Sequence, residues 1–520
     1  MKMMNWLGDP TETALTDMAL KLNYRKTILV DNPRVKELPF DSERKLMTTV
    51  NKVKDKYVVY TKGGVDELLA RCMSYETSDG IYDNLEEYKK EIYAKNEEMG
   101  RSALRVLACA YKVIDREPTD EEMKTIEKDL IFLGLCGMID PPRPEAKEAV
   151  NKCKSAGIKT VMITGDHKIT AIAIAKELGI LEDESEALTG KELDEISDEE
   201  LTRDIRKYSV YARVSPEHKV RIVKAWKANG EIVAMTGDGV NDAPALKTAD
   251  IGCAMGKVGT DVAKEAADVI LTDDNFASII SAVEEGRRIY DNILKVIQFL
   301  LSSNIGEIIV LFFAILLAPA FANWFHFANA HNLTPLLAIH ILWINLATDS
   351  LPALALAVDP AEKDIMNRKP RDNTKGIFTK GMTYRVVYQG IMIGFLTLLA
   401  FALGLRGTEI LPEEERVTIA QTMAFAVLSL SELVHVFNIR HNKKSMFKSG
   451  LFSNKILILA DIVSAGLVLA ILFIPPLRNI FTIAVLPKEK IIETIVLILS
   501  PIVVVELLKL FKLNTVKFEK

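Results

Sequence analysis

Residues 236–247 read Thr-Gly-Asp-Gly-Val-Asn-Asp-Ala-Pro-Ala-Leu-Lys, and their chemistry is that of half a phosphoryl-transfer site. Asp238 and Asp242, with Asn241 beside them, are hard oxygen donors suited to a Mg²⁺ that also touches a phosphate. A glycine on each side of Asp238 lets the backbone approach closely. The apolar run Ile232–Met235 suits a buried parallel strand, and a helical segment follows the motif. Both aspartates are therefore expected on a loop at a strand's carboxyl end, where open α/β sheets hold their ligands. Surface turns share this Gly, Asp and Asn composition, but the full string is far more particular than a bare Gly-Asp-Gly. The other half of such a site, a nucleophilic carboxylate, is not evident.

The elements that must position these groups alternate in kind. Ile158–Ile163 reads as a strand, Thr164-Gly165-Asp166 as its carboxyl-end loop, and Ile169–Leu178 as the following helix. The Thr164 hydroxyl and Gly165 N–H at that helix start could cradle a phosphate. A third unit, Ser209–Arg213, leads to Ser215-Pro-Glu-His-Lys219, a helix start with Pro near its first position. Lys219 could neutralise a phosphoryl oxygen there. Strands alternating with helices predict a doubly wound parallel sheet. The run Gly252–Lys257 is not a Walker A loop, since its spacing is wrong and no Ser or Thr follows the lysine.

Residues 1–126 read as a separate domain, with a helix opening in Gly8–Leu15 and a strand-rich segment over Thr48–Tyr60. Pro39-Phe40-Asp-Ser-Glu-Arg44-Lys45 and Tyr60-Thr-Lys62-Gly63-Gly64 flank that segment. An exposed Phe40 near Arg44 and Lys62 could stack a purine and hold its phosphates, although Phe is more often a core residue.

The 520 residues hold 49% hydrophobic and 26% charged side chains, and the two kinds are sequential rather than mixed. Up to about Tyr290 the chain is charged; beyond it lie six apolar stretches of about bilayer length. These are Val296–Leu317, Leu336–Val358, Val386–Leu405, Val417–Phe437, Ile456–Ile474 and Ile491–Leu510. Lys and Arg crowd the second and fourth loops, so the positive-inside rule places those loops, the N-terminal half and the C-terminus in the cytoplasm. A net charge of −5 without a basic stripe argues against nucleic acid as a partner. The five cysteines form no Cys-x-x-Cys pair, so neither a zinc site nor a disulfide framework is expected. Met1–Gly8 shows no signal-peptide pattern.

Polar groups inside the apolar spans are costly and mark function. Asn304 and Glu307 share one helical face, as do Asn345, Thr348 and Asp349, and the fourth span adds Glu432. This all-oxygen set suits a hard cation, Ca²⁺ before a soft metal. Pro352 is expected to loosen its helix and free carbonyls for coordination. Helix–helix hydrogen bonding is the alternative for each Asn or Thr. Asp461, Glu493, Glu506, His340 and His435 are expected to be structural. From Phe276 to Leu317 the chain carries no proline. It is either one helix joining the two halves or two helices meeting near Asp291.

Together these strings resemble the C-terminal part of a P-type cation-transporting ATPase, similar to the calcium pumps of the sarco/endoplasmic-reticulum type. The resemblance rests on Met162–Asp166, Thr236–Lys247, Asp140-Pro-Pro-Arg143 and Leu271–Phe276. It implies a nucleotide-binding domain over 1–126. An incomplete haloacid-dehalogenase-like doubly wound sheet over 127–275 and a stalk with an all-α six-helix transmembrane bundle over 276–520 follow. It implies ATP as substrate and Mg²⁺ on Asp238, with Asn241 and Asp242 ordering the site. Thr164, Gly165, Asp166 and Lys219 fall to the phosphoryl group. Glu12, Phe40, Arg44, Lys62, Gly63 and Arg105 fall around the nucleotide; Ser42 stands where the family often has Arg. Asn304, Glu307, Asn345, Thr348, Asp349 and Glu432 fall on calcium-binding positions, and retaining Glu307 favours the two-ion variety. Calcium export through an aspartyl phosphate in a cell membrane, with proton counter-transport, is the implied function.

The family's Asp-Lys-Thr-Gly motif does not occur in these residues. Asp140 is rejected as nucleophile because Pro141-Pro142 follows it. The missing strand is expected between those leading to Thr164 and Asp238, leaving a gap in the sheet. The chain alone is expected to bind nucleotide weakly and not to turn over. A monovalent-cation pump, or a non-catalytic half completing a separately encoded N-terminal half, are the other readings.

Overall fold

The structure, a computed structural model, describes residues 10–24, 27–41, 44–102, 104–139, 142–330, 333–372, 376–442, 444–448, 450 and 452–511. Met1–Gly8, Ser42, Asp140 and Pro141 lie outside the described residues. The chain divides into two compact units, Met1–Ile280 and Ser281–Lys520.

In the first unit, β1 (Arg34–Leu38), β2 (Leu46–Val53), β3 (Lys56–Gly63), β4 (Cys72–Thr77), β5 (Gly80–Tyr82), β6 (Arg105–Ile114) and β7 (Leu130–Met138) build one sheet. Its order is β1-β2-β3-β6-β7-β4-β5, antiparallel except at β4–β7. Alternation in β2 buries Leu46, Thr48 and Val50, and Lys54 turns the hairpin to β3 with φ 54°. The two longest helices beside this sheet are α1 (Pro10–Lys21) and α2 (Leu85–Arg101). Leu85 and Ile92 of α2 close a core over Ala108, Ala110 and Phe132. The domain boundary expected at 126 moves, because β7 pairs with β6 from Arg105↔Met138 to Tyr111↔Ile131. An apolar run announces a buried strand but not which sheet will take it.

The α/β part follows, with α3 (Pro144–Ser155), α4 (Lys168–Leu178), α5 (Pro216–Ala228) and α6 (Ala243–Thr248). Its strands form two parallel sheets rather than one. The first is β8 (Met162–Thr164), β9 (Ala187–Thr189) and β10 (Val210–Ala212), in the order β8-β10-β9. The second is β11 (Ala234–Gly237), β12 (Ile251–Met255) and β13 (Val269–Leu271), in that order. β8, β9, β11 and β13 thus each have one bonded neighbour. Ile163 and Val233 pack against the hydrophobic cores of both sheets. The strands expected to begin at Ile158 and Ile232 begin only at Met162 and Ala234.

The uninterrupted stretch proves to be one helix, α7 (Phe276–Phe325), with no break near Asp291. In the second unit the second span is composite: α8 (Ala338–Trp343), a π-helical turn Ile344–Thr348, then α9 (Ser350–Ala357) with Pro352 in its first turn. α10 (Lys380–Leu405), α11 (Glu413–Arg440), α12 (Lys455–Phe473) and α13 (Lys488–Leu510) complete it. Among the described residues, six helices are long and apolar enough to cross a membrane. Small residues let them approach: a Cβ on Gly394 would lie 2.7 Å from Ile309, and one on Gly404 would lie 2.4 Å from Ala420.

Candidate functional site

The loop after β11 is built around Asp242. Its buried carboxylate accepts from the N–H groups of Asp238 (3.2 Å) and Gly239 (3.0 Å) and pairs with the Lys219 ammonium from α5. Burial pushes the Asp242 carboxyl up, but Lys219 and the Gly239 N–H outweigh it and hold it below the usual range. Gly237 is obligatory, since a Cβ there would stand 2.4 Å from Asp242 Cβ. Thr260 N–H donates to the Asp238 carbonyl at 2.8 Å. Asp238 itself is exposed, and among the described residues nothing hydrogen-bonds its carboxylate. A fixed backbone with a free carboxylate fits a Mg²⁺ ligand, and the ion would supply charge neutralisation to a phosphate there.

At the end of β8, Thr164 Oγ1 donates to Asp166 Oδ2 (2.9 Å) and accepts from Asp166 N–H (3.1 Å). Gly165 is exposed, and a Cβ on it would meet nothing within 4 Å. The structure thus assigns Asp242 and Lys219 to one ion pair and Thr164 and Asp166 to one turn. Asn241 is exposed beside them. Asp274 accepts from the N–H groups of Gly256, Lys257 and Val258 at 2.7, 2.9 and 3.0 Å. The Gly-Lys loop rejected as a phosphate cradle therefore wraps the protein's own carboxylate. Those backbone N–H groups, that of Lys257 foremost, keep Asp274 below the usual range. No residue-type signal marks such a partner at that sequence distance.

On the seven-stranded sheet, Phe40 is 65% exposed just past β1, as a stacking platform must be. Lys62 pairs with Glu12 of α1, buried Gly63 ends β3, and exposed Arg105 starts β6. Arg44 is differently placed. Its guanidinium pairs with buried Glu127 and donates to the Pro39 carbonyl at 2.7 Å, and so holds the loop that carries Phe40.

In the second unit, Asn345 donates to both Glu307 oxygens, at 2.8 and 3.0 Å. Thr348 and Asp349 are buried at the end of the π-helical turn, and Glu432 is buried on α11. The oxygens of Asp349 and Glu432 face one another and receive no N–H or O–H among the described residues; Ser303 and Glu307 stand beside them. Orphaned acidic oxygens in an apolar interior are a ready environment for a hard cation. Asn304 instead donates to its own helix at Leu300 O (2.7 Å). Among the described residues no three His, Cys, Asp or Glu side chains already converge at metal-holding distance. His340 meets the Phe481 carbonyl, and Glu493 and Glu506 pair with Lys490 and Lys509, as structural groups do. Asp461 departs from that expectation: both its oxygens are buried without a partner.

Residues 1–145 match the family model of the P-type ATPase cytoplasmic domain N, and 333–511 that of the cation transporting ATPase C-terminus. The chain belongs to the P-type cation-transporting ATPases. It corresponds to their C-terminal part, and residues 75–247 and 219–283 also match haloacid dehalogenase-like hydrolases. Calcium-transporting ATPase 1 of Bacillus cereus is 50% identical over 98% of this P-type ATPase chain and 56% of its own. The calcium-transporting ATPase of Bacillus subtilis is 48% identical over 93% and 52%. The human calcium-transporting ATPase type 2C member 1 is 36% identical over 99% and 53%. The chain spans about half the length of the curated relatives it matches.

Proposed function

We propose that this chain carries the ion-binding and phosphate-handling part of an ATP-driven Ca²⁺ pump. The observation that carries the reading is the facing pair Asp349 and Glu432, four buried acidic oxygens without a donor, beside Thr348 and the Glu307–Asn345 pair. Ca²⁺ takes about six to eight oxygens, so two ions need more than Asn304, Glu307, Asn345, Thr348, Asp349 and Glu432 supply. The remainder comes from groups outside this set. Kinship with the sarco/endoplasmic-reticulum type rests on these six side chains, whereas the relatives named above are bacterial and type 2C.

ATP binds over Phe40, Lys62, Gly63 and Arg105, with Glu12 at the rim. Thr164 and Gly165 receive the phosphoryl group, Lys219 neutralises its charge, and Asp242 holds Lys219 and the Asp238 backbone in position. Asn241 and Asp166 order the two loops. The phosphorylated aspartate belongs to an Asp-Lys-Thr-Gly string that these 520 residues do not contain, so turnover requires the polypeptide or partner that carries it. The basic loops and the whole first unit lie in the cytoplasm, and returning protons occupy the emptied carboxylates.

The test is radiolabelled Ca²⁺ binding to the purified chain in lipid nanodiscs, with K⁺ and Na⁺ as competitors. Saturable binding that Asp349→Asn and Glu432→Gln each weaken by at least tenfold is expected. Binding displaced equally by K⁺, or unaffected by both substitutions, would sink the calcium reading.

A further inference from the structure

Cys109 and Cys136 lie on different strands and meet on one face of the seven-stranded sheet. In the β6–β7 ladder Cys109 stands opposite Gly134, and Leu107 opposite Cys136, so the two thiols are diagonal neighbours on the same side. Helix α1 covers that side. Its Glu12 reaches Lys62, which stands opposite Cys109 on β3, and its Met18 brings a thioether sulfur 3.8 Å from Cys136 Sγ. Gly134 leaves room between them, because a Cβ there would meet no heavy atom within 4 Å. Met18 is 45% exposed, so the space is reachable from solvent.

Two thiols and a thioether form an all-sulfur donor set, the soft class that selects Cu(I) over hard cations. We propose that Cys109, Cys136 and Met18 form a binding site for a soft monovalent cation, Cu(I) or its redox-inert counterpart Ag(I). A zinc site would need a fourth nitrogen or sulfur ligand, and Glu12 is engaged by Lys62. A disulfide is the competing fate of paired thiols. Diagonal ladder positions lie about 7–8 Å apart, beyond what a disulfide spans without backbone movement. A cation inserted between the sulfurs bridges a wider gap, because two metal–sulfur bonds replace one sulfur–sulfur bond.

Cysteine thiols, with an ordinary pKa of about 8.5, carry their protons at neutral pH. Binding is therefore an exchange. Two S–H bonds break, three metal–sulfur bonds form, the third to the neutral Met18 thioether, two protons leave, and no electron moves. The product carries one negative charge beside the Lys62 ammonium. Lys62 is also a proposed nucleotide contact, so occupancy would compete with nucleotide. That consequence rests on the nucleotide reading, whereas the cation site does not.

The reduced 520-residue chain in detergent is titrated anaerobically with Ag(I) and, separately, with Cu(I). Alkylation of each cysteine is read by mass spectrometry, with buried Cys72, Cys153 and Cys253 as internal references. One equivalent of either cation is expected to protect Cys109 and Cys136 together and release about two protons. Cys109→Ser or Cys136→Ser should abolish the joint protection. Met18→Ala should weaken it by roughly tenfold while leaving the circular dichroism melt unchanged. Protection of one cysteine that survives loss of the other would overturn the proposal, as would protection reaching the reference cysteines at the same cation level.

Discussion

Lys219 and Asp242 show how one contact can serve fold and function at once. The carboxylate closes the loop through two N–H groups and fixes the Lys219 ammonium, the group proposed to meet the phosphate. Asp242→Ala is expected to destabilise the first unit by roughly 2–4 kcal/mol, through two orphaned N–H groups and an unpaired ammonium. The pH dependence follows from the sign. Asp242 and Asp274 are both held low in the fold, so their stabilisation is complete above the unfolded carboxylate value of about 3.9. It is lost as pH falls through the lower folded values. Acid unfolding followed by Trp226 fluorescence should therefore shift to higher pH in Lys219→Ala, and an unchanged midpoint would refute the account. The two loop glycines should part company. Gly237→Ala must displace the Asp242 side chain and is expected to cost about 1–3 kcal/mol. Gly165→Ala meets open space, so it should leave the thermal melt in place while weakening phosphate binding.

At the scale of elements, the composite second span explains why its polar residues converge where they do. The π-helical turn Ile344–Thr348 lets neighbouring carbonyls find side-chain donors: Ser464 of α12 donates to Ala347 O (3.2 Å) and Ser350 to Asn345 O (3.1 Å). Just beyond α9, buried Asp359 anchors the span through Lys295 (2.8 Å), Arg440 (2.9 Å) and Asn454 (3.0 Å). Removing it leaves two buried cations facing one another, so Asp359→Ala should destabilise the second unit by about 3–5 kcal/mol. Denaturant melts in detergent measure this, and a loss under 1 kcal/mol would mean that the network behaves like a surface pair. Helical spacing alone placed Asn345, Thr348 and Asp349 on one face, and that much was legible. The π-helical turn was not, because Pro352 announces a loosened helix but not the turn at Ile344–Thr348 that precedes it. Nor were the partners of Asp359 or the meeting of Cys109 with Cys136, since strand register and helix crossings bring together residues far apart in the chain. Asp461 is the opposite case: visible in the sequence, but its orphaned oxygens appear only once α12 is packed.

For the whole molecule, the alternation of strands and helices made the α/β class and the apolar stretches legible. The division of strands among sheets was not, which is why β7 was assigned to the wrong side of a boundary. The two three-stranded parallel sheets carry the most informative discrepancy, because a parallel strand is normally bonded on both sides and buried. β10 and β12 meet that rule, whereas the outer strands β8, β9, β11 and β13 each lack one neighbour. Two of those edges, β8 and β11, hold Thr164 and lead to Asp238, so the loops proposed to handle phosphate hang from strands bonded on one side only. Local stability should follow the bonding. Peptide-resolved hydrogen exchange is expected to show Met162–Thr164 and Ala234–Gly237 exchanging faster than Val210–Ala212 and Ile251–Met255. Equal protection of all four strands would mean that the break between the sheets closes in solution. If it stays open, any segment that supplies a strand there must protect both edges at once. A partner protecting only one edge would be docking on the surface rather than completing the sheet.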